Sequence, residues 1–120
     1  MSYTVYKIAH LVAVLFLFTS FGGMVALARN GSEDSGLRKL ALTTHGLSLA
    51  VILVAGFGLL ARLGMTDGFP GWAMAKLGIW LLLGLALVAI KRRPGWTGAL
   101  WLVLPALGGT AAWLAIAKPF

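Results

Sequence analysis

The chain reads as four long apolar runs separated by short polar ones: about Tyr6 to Ala28, Leu40 to Leu63, Trp72 to Ile90 and Ala99 to Ala117. At about 1.5 Å of rise per residue, helices of these lengths reach across a bilayer core of about 30 Å. Polar residues gather where the runs end. Arg29-Asn-Gly-Ser-Glu-Asp-Ser-Gly-Leu-Arg-Lys39 follows the first run, Gly64-Met-Thr-Asp-Gly-Phe-Pro-Gly71 the second and Lys91-Arg-Arg-Pro-Gly-Trp-Thr-Gly98 the third. The last two linkers are short and rich in Gly and Pro, so successive helices are expected to be antiparallel neighbours. The pattern predicts an all-α integral membrane protein, an antiparallel four-helix bundle (helices at about 6–28, 40–63, 72–90 and 99–117) forming one domain over residues 1–120.

Composition strengthens this reading. With 60% hydrophobic and 11% charged residues and a mean hydropathy of +0.94, too little polar surface remains to face water on all sides. The first run does not read as a cleaved signal: only Lys7 precedes its core, no Ala-x-Ala site closes it and three further spans follow. The absence of cysteine excludes disulfides, thiolate ligands and thiol–disulfide chemistry. A net charge of +7 would suggest nucleic acid in a soluble protein. Here the basic residues sit at the ends of apolar runs, where anionic lipid head groups are the natural partners and no nucleic-acid module is present. Arg29, Arg38, Lys39, Lys91, Arg92 and Arg93 outnumber Lys7, Arg62 and Lys118 on the other side. The excess predicts that loops 29–39 and 91–98 are cytoplasmic and that both termini are outside.

Packing is expected where small residues recur at a spacing of four, as in Gly22/Ala26, Gly46/Ala50 and Gly108/Ala112. Pro105 should kink the fourth helix, its freed carbonyl being taken up by neighbours or by Thr110.

The polar residues inside the spans carry the functional expectation. Lys76 stands one turn into the third run, and a charge at such a position is costly and marks a site. His10 lies about one turn into the first run from the same side, so the two can meet; Lys7 shares the His10 face and Arg62 closes the second run there. Only Asp67 in the adjacent loop balances these groups, a set that favours an anionic ligand such as a carboxylate, a phosphate or a porphyrin propionate. Trp72 and Trp80 flank Lys76 at spacings of four and would frame a flat, partly apolar molecule. The alternative is that Lys76 snorkels to the head groups while the tryptophans form an interfacial belt.

His45 falls near the opposite face, roughly 20 Å from His10 along the membrane normal, so one iron cannot take both. With Thr43, Thr44 and Ser48 nearby it reads as a hydrogen-bonded structural histidine. Glu33, Asp34 and Asp67 all lie in loops, which removes the buried carboxylate a proton-coupled cation exporter needs. Met24, Met65, Met74, His10 and His45 do not converge as a metal-transport site would require, and neither Ser20 nor Ser48 has a base and orienting acid for hydrolysis.

Two resemblances bear on these residues. Tyr6-Lys-Ile-Ala-His10 in the first run and Trp72-Ala-Met-Ala-Lys76 in the third resemble small bacterial membrane families. His45, the Trp-x-x-x-Lys pattern, the stretch Gly84 to Arg93 and the tail Ala115 to Pro119 resemble the SirB family of invasion-gene regulators over nearly the whole chain. That resemblance implies a small bacterial inner-membrane protein with a regulatory, assembly or accessory role. Separately, a four-helix bundle of this size exposes much of each helix, and its glycine-lined faces are expected to pair copies as a homo-oligomer or to dock a larger membrane complex. More locally, His10 and Lys76 are similar to the first-helix histidine and third-helix lysine of the HemJ-type protoporphyrinogen oxidases. This second resemblance implies binding of haem b or a porphyrin, with His10 as haem axial ligand and Lys76 as second ligand or anion clamp, and a porphyrinogen oxidoreductase as the candidate enzyme. Where that family carries Trp-Phe-Ala-Gly, this chain has Phe21-Gly-Gly-Met24.

Overall fold

The computed structural model describes residues 2–30, 35–62, 64 and 71–117. Four long helices account for nearly all of them: α1 (Tyr3–Asn30), α2 (Ser35–Arg62), α3 (Gly71–Arg92) and α4 (Thr97–Ala117), with a single 3₁₀ turn at Pro94–Trp96 leading into α4. All four are long and apolar enough to cross a membrane. Each extends beyond the run that predicted it by up to five residues, except at the ends of α2 and α4. Polar residues do not stop a helix whose hydrogen bonds are already propagating, so Arg29, Asn30 and the Ser35–Lys39 stretch are helical. Of the expected 29–39 loop, residues 29–30 and 35–39 are thus helical; residues 31–34, with Glu33 and Asp34, lie outside the described residues, as do Asp67 and Lys118.

The helix ends have local causes. Ser2 caps α1, its hydroxyl oxygen accepting the Val5 N–H at 3.3 Å. After α2 the Gly64 N–H bonds the Ala61 carbonyl at 3.1 Å, and Gly64 adopts φ 73°, the left-handed cap that glycine takes without steric cost. The expected 91–98 linker is mostly helical: Arg93 N–H continues the α3 ladder to Ala89 O, and Trp96 N–H turns back onto Arg93 O at 2.9 Å. Pro105 sits within a continuous α4, and the Thr110 hydroxyl donates to Ala106 O at 2.8 Å instead of reaching the carbonyl that the proline frees.

Side-chain contacts give the directions. Tyr6 meets Gly58, His10 meets Gly56 and Gly23 meets Ala41, so α1 and α2 are antiparallel. Phe18 against Gly108 and Arg29 against Gly98 make α1 antiparallel to α4. Helix α1 is the centre of the structure: it contributes Leu17, Phe21, Met24, Val25 and Leu27 to the core, facing Trp72, Ile79, Leu83, Ala86 and Ile90 of α3 with Leu104 and Leu114 of α4. Helix α2 packs chiefly on α1, whereas α3 and α4 pack on each other and on α1. Widths of 27 and 17 Å across a 47 Å length describe a flattened cluster, unlike the square section of an ideal bundle.

The small-residue faces fall differently from the spacing rule. Gly108 does support a close contact, a Cβ there lying 2.8 Å from Phe18 Cζ, but Gly22 and Gly46 face nothing within 4 Å. Close approach inside the chain uses Gly23, Gly56 and Gly58 instead. Spacing alone cannot choose among glycine-bearing faces, because the choice depends on which larger side chain stands opposite.

Candidate functional site

Two stripes place the polar residues. On α3 the buried positions 72, 79, 83, 86 and 90 follow a four–three alternation, and Lys76 fills the missing step between Trp72 and Ile79. On α1 the buried positions 13, 17, 20, 24 and 27 run the same way, and His10 is their continuation toward the N-terminus. Lys76 and His10 therefore face inward by helical phase. Both are half-buried.

They line one half-open cleft of about 160 Å³ between α2 and α3, with α1 as its floor. Trp72 and Trp80 lie on the α3 wall, Ile52, Gly56 and Phe57 on the α2 wall, Tyr3 comes from α1 and Ala115 from α4. Farther along, two side-chain hydrogen bonds join α2 to α3. There Trp80 Nε1–H donates to Leu49 O at 3.0 Å and His45 Nε2–H donates to Leu83 O at 3.3 Å. Phe57, Met74 and Leu77 on the rim are exposed, so the opening faces sideways, toward what surrounds the apolar helices.

The His10 ring is oriented by the backbone. Its Nδ1 lies 3.1 Å from Ile52 O. A carbonyl can only accept, so the proton is on Nδ1 and the neutral ring keeps its lone pair on Nε2. Gly56 stands beside this edge, a Cβ there lying 3.6 Å from His10 Cε1, which leaves the ring room to approach α2. A histidine whose Nδ1–H is fixed by a carbonyl presents the arrangement used for metal ligation and for accepting a proton through Nε2.

Of the six residues expected to form the site, His10, Lys76, Trp72 and Trp80 meet in the cleft, whereas Lys7 and Arg62 do not line it. Both are exposed, and Lys7 touches the rim only indirectly, its ammonium 5.9 Å from the centre of the Tyr3 ring. One helical turn suffices to carry their long side chains outward. Sequence reasoning missed Tyr3, Gly56 and the Ile52 carbonyl. Tyr3 alone left a signal, being seven residues before His10 on the same face.

His45 stands apart. It is buried, its ring makes an edge contact with Phe21 at 5.2 Å, and its hydrogen bond goes to Leu83 O and not to the neighbouring hydroxyls. Since Phe21 follows His10 by eleven residues on α1, the two histidines are about 16 Å apart along the axis, somewhat less than expected from the sequence. Among the described residues no group of three His, Cys, Asp or Glu could hold a metal ion. No family model, curated protein or solved structure matches the chain.

Proposed function

We propose that the protein is a multi-pass protein of the bacterial inner membrane, an antiparallel helical bundle with its termini outside, and that its His10–Lys76 cleft holds a carboxylate-bearing tetrapyrrole. Membrane insertion is supported by the outer faces: in the most apolar window of each helix no more than 39% of residues are buried, leaving side chains such as Leu102 and Ile116 for lipid.

The observation that carries the ligand reading is the meeting of a lone-pair-bearing His10 Nε2, the Lys76 cation and two tryptophans in one laterally open cleft. The donor set fits the group. His10 would supply an axial nitrogen, Lys76 would pair with a propionate, and Trp72 and Trp80 would cover apolar ring surface. A volume of about 160 Å³ takes the edge of such a ring and leaves the remainder at the lateral opening. When bound, a haem would supply an iron able to take a nitrogen ligand and to undergo one-electron redox change. The chain's own residues bind it, orient it and shield it from water.

The test is a visible spectrum of the protein purified in detergent after supply of haem or of iron-free porphyrin. A Soret band should appear with both. His10→Ala should remove haem binding yet spare porphyrin, and Lys76→Ala should weaken both by about 1.5–3 kcal/mol, the scale of a charge-assisted contact. No band in the unaltered protein, or a band indifferent to both substitutions, rejects the reading.

A partner-docking role of the SirB type draws on a separate observation. A Cβ added at Gly22 or Gly46 would meet nothing within 4 Å inside the chain, which leaves room there for a second helix. Disulfide crosslinking of Gly46→Cys in native membranes tests it: a crosslinked dimer or heteromer supports docking, and its absence over the whole face opposes it.

A further inference from the structure

The end of the molecule opposite the cleft carries its own chemistry. The antiparallel contacts bring together the last turn of α1, the first turns of α2, the last turn of α3 and the start of α4, and with them Arg29, Arg38, Lys39, Lys91, Arg92 and Arg93. Glu33 and Asp34 belong to the intervening 31–34 stretch, outside the described residues, so the sequence balance at this end is still strongly positive.

Two of these groups are positioned. Arg29 Nη1–H donates to the Thr97 hydroxyl at 3.2 Å, and Thr97 is fully buried, so the guanidinium is fastened to the first residue of α4 while Arg29 itself is exposed. The 3₁₀ turn closed by Trp96 N–H on Arg93 O folds the Arg93 guanidinium over the Trp96 ring at 5.5 Å. Trp96 is adjacent in sequence to Thr97 and 52% exposed. An anchored arginine, a second arginine stacked on a half-exposed indole and a surrounding cluster of cations thus occupy one helix-end surface. Guanidinium forks match phosphate oxygens, and an indole prefers the depth where head group meets acyl chain.

We propose that Arg29, Arg93 and Trp96 form a binding site for the head group of an anionic phospholipid. The phosphodiester sits between the two guanidinium groups and the Trp96 ring lies along the upper acyl chain. Specificity over a zwitterionic lipid comes from the neighbouring Lys91 and Arg92, which disfavour a choline cation. The site is independent of the cleft and of the ligand proposed there.

The full-length protein in neutral detergent is titrated with phosphatidylglycerol carrying a brominated acyl chain, with tryptophan quenching as the readout, and in parallel with the matching phosphatidylcholine. Saturable quenching by the anionic lipid alone is expected. At about fivefold per basic contact, Arg29→Gln and Arg93→Gln should each weaken it by that factor, and Trp96→Phe should remove most of the quenching while leaving the lipid retained in native mass spectra. Lys7→Gln and Arg62→Gln remove the same charge at the other end and should change nothing. Arg29→Lys, which keeps the charge, separates lost binding from lost folding because it should retain most of the affinity. Equal binding of the two lipids, equal loss in the Lys7 and Arg62 variants, or displacement by inorganic phosphate at comparable concentration would overturn the proposal, the last by identifying a free-anion site.

Discussion

Replacing His45 separates structural from functional histidine chemistry. His45 is only 5% exposed and does two things: it donates from Nε2 to Leu83 O, linking α2 to α3, and it packs edge-on against Phe21 of α1. An interhelical hydrogen bond within a membrane protein averages about 0.6 kcal/mol, and an aromatic pair adds about 0.5–1.5 kcal/mol. Truncation to alanine also forfeits the dispersion contacts of a buried ring. Together these place His45→Ala at roughly 2–3 kcal/mol of destabilisation. His45→Phe keeps a ring against Phe21 and loses only the hydrogen bond, since Leu83 O retains its helical partner, so its cost is about 0.6 kcal/mol. Reversible unfolding in a denaturing detergent titration measures both. Because His45 is about 16 Å from His10 along the axis, His45→Phe should leave any absorbance from the His10 cleft unchanged. Loss of that absorbance in a His45→Phe protein that unfolds normally would refute the assignment of a purely structural role, and a cost for His45→Phe equal to that for His45→Ala would refute the apportionment.

The same geometry yields further expectations. Trp80→Phe removes a second side-chain hydrogen bond between α2 and α3, at about 0.6 kcal/mol; combined with His45→Phe the losses should exceed their sum, because both bonds act on one pair of helices, and a double-mutant cycle in the detergent titration reads the coupling. Gly108→Leu drives a side chain into Phe18 and should cost about 1–3 kcal/mol, whereas Gly46→Leu, facing open space, should leave the unfolding of the isolated chain within about 0.5 kcal/mol of the original. Gly56→Val brings branched methyls against the His10 edge and should weaken the tetrapyrrole binding proposed for the cleft while far-ultraviolet circular dichroism stays unchanged.

Much of the site was legible in the chain because helical phase is a sequence property. The four–three spacing that buries Trp72, Ile79 and Leu83 already places Lys76 inward, and the continuation of the Ala13–Leu17 stripe does the same for His10. Lys7 was grouped with them on a three-residue spacing from His10 and Arg62 on membrane side, and neither specifies where the end of a long side chain comes to lie. The helix ends were underestimated for a comparable reason: polarity marks where a span leaves the apolar phase, not where its backbone hydrogen bonds stop.

What the sequence by itself determined is the set of four apolar helices, the antiparallel order expected from short Gly- and Pro-bearing linkers, and the shared depth of His10 and Lys76. The tertiary structure decided which glycine faces are used, that α1 is central with a cleft between α2 and α3 beside it, and that the Ile52 carbonyl holds the His10 proton on Nδ1. The physical reason is that periodicity within one helix follows from bonds along the chain, whereas the opening between two helices depends on which side chains and backbone carbonyls meet across it, and residues far apart in sequence settle that jointly.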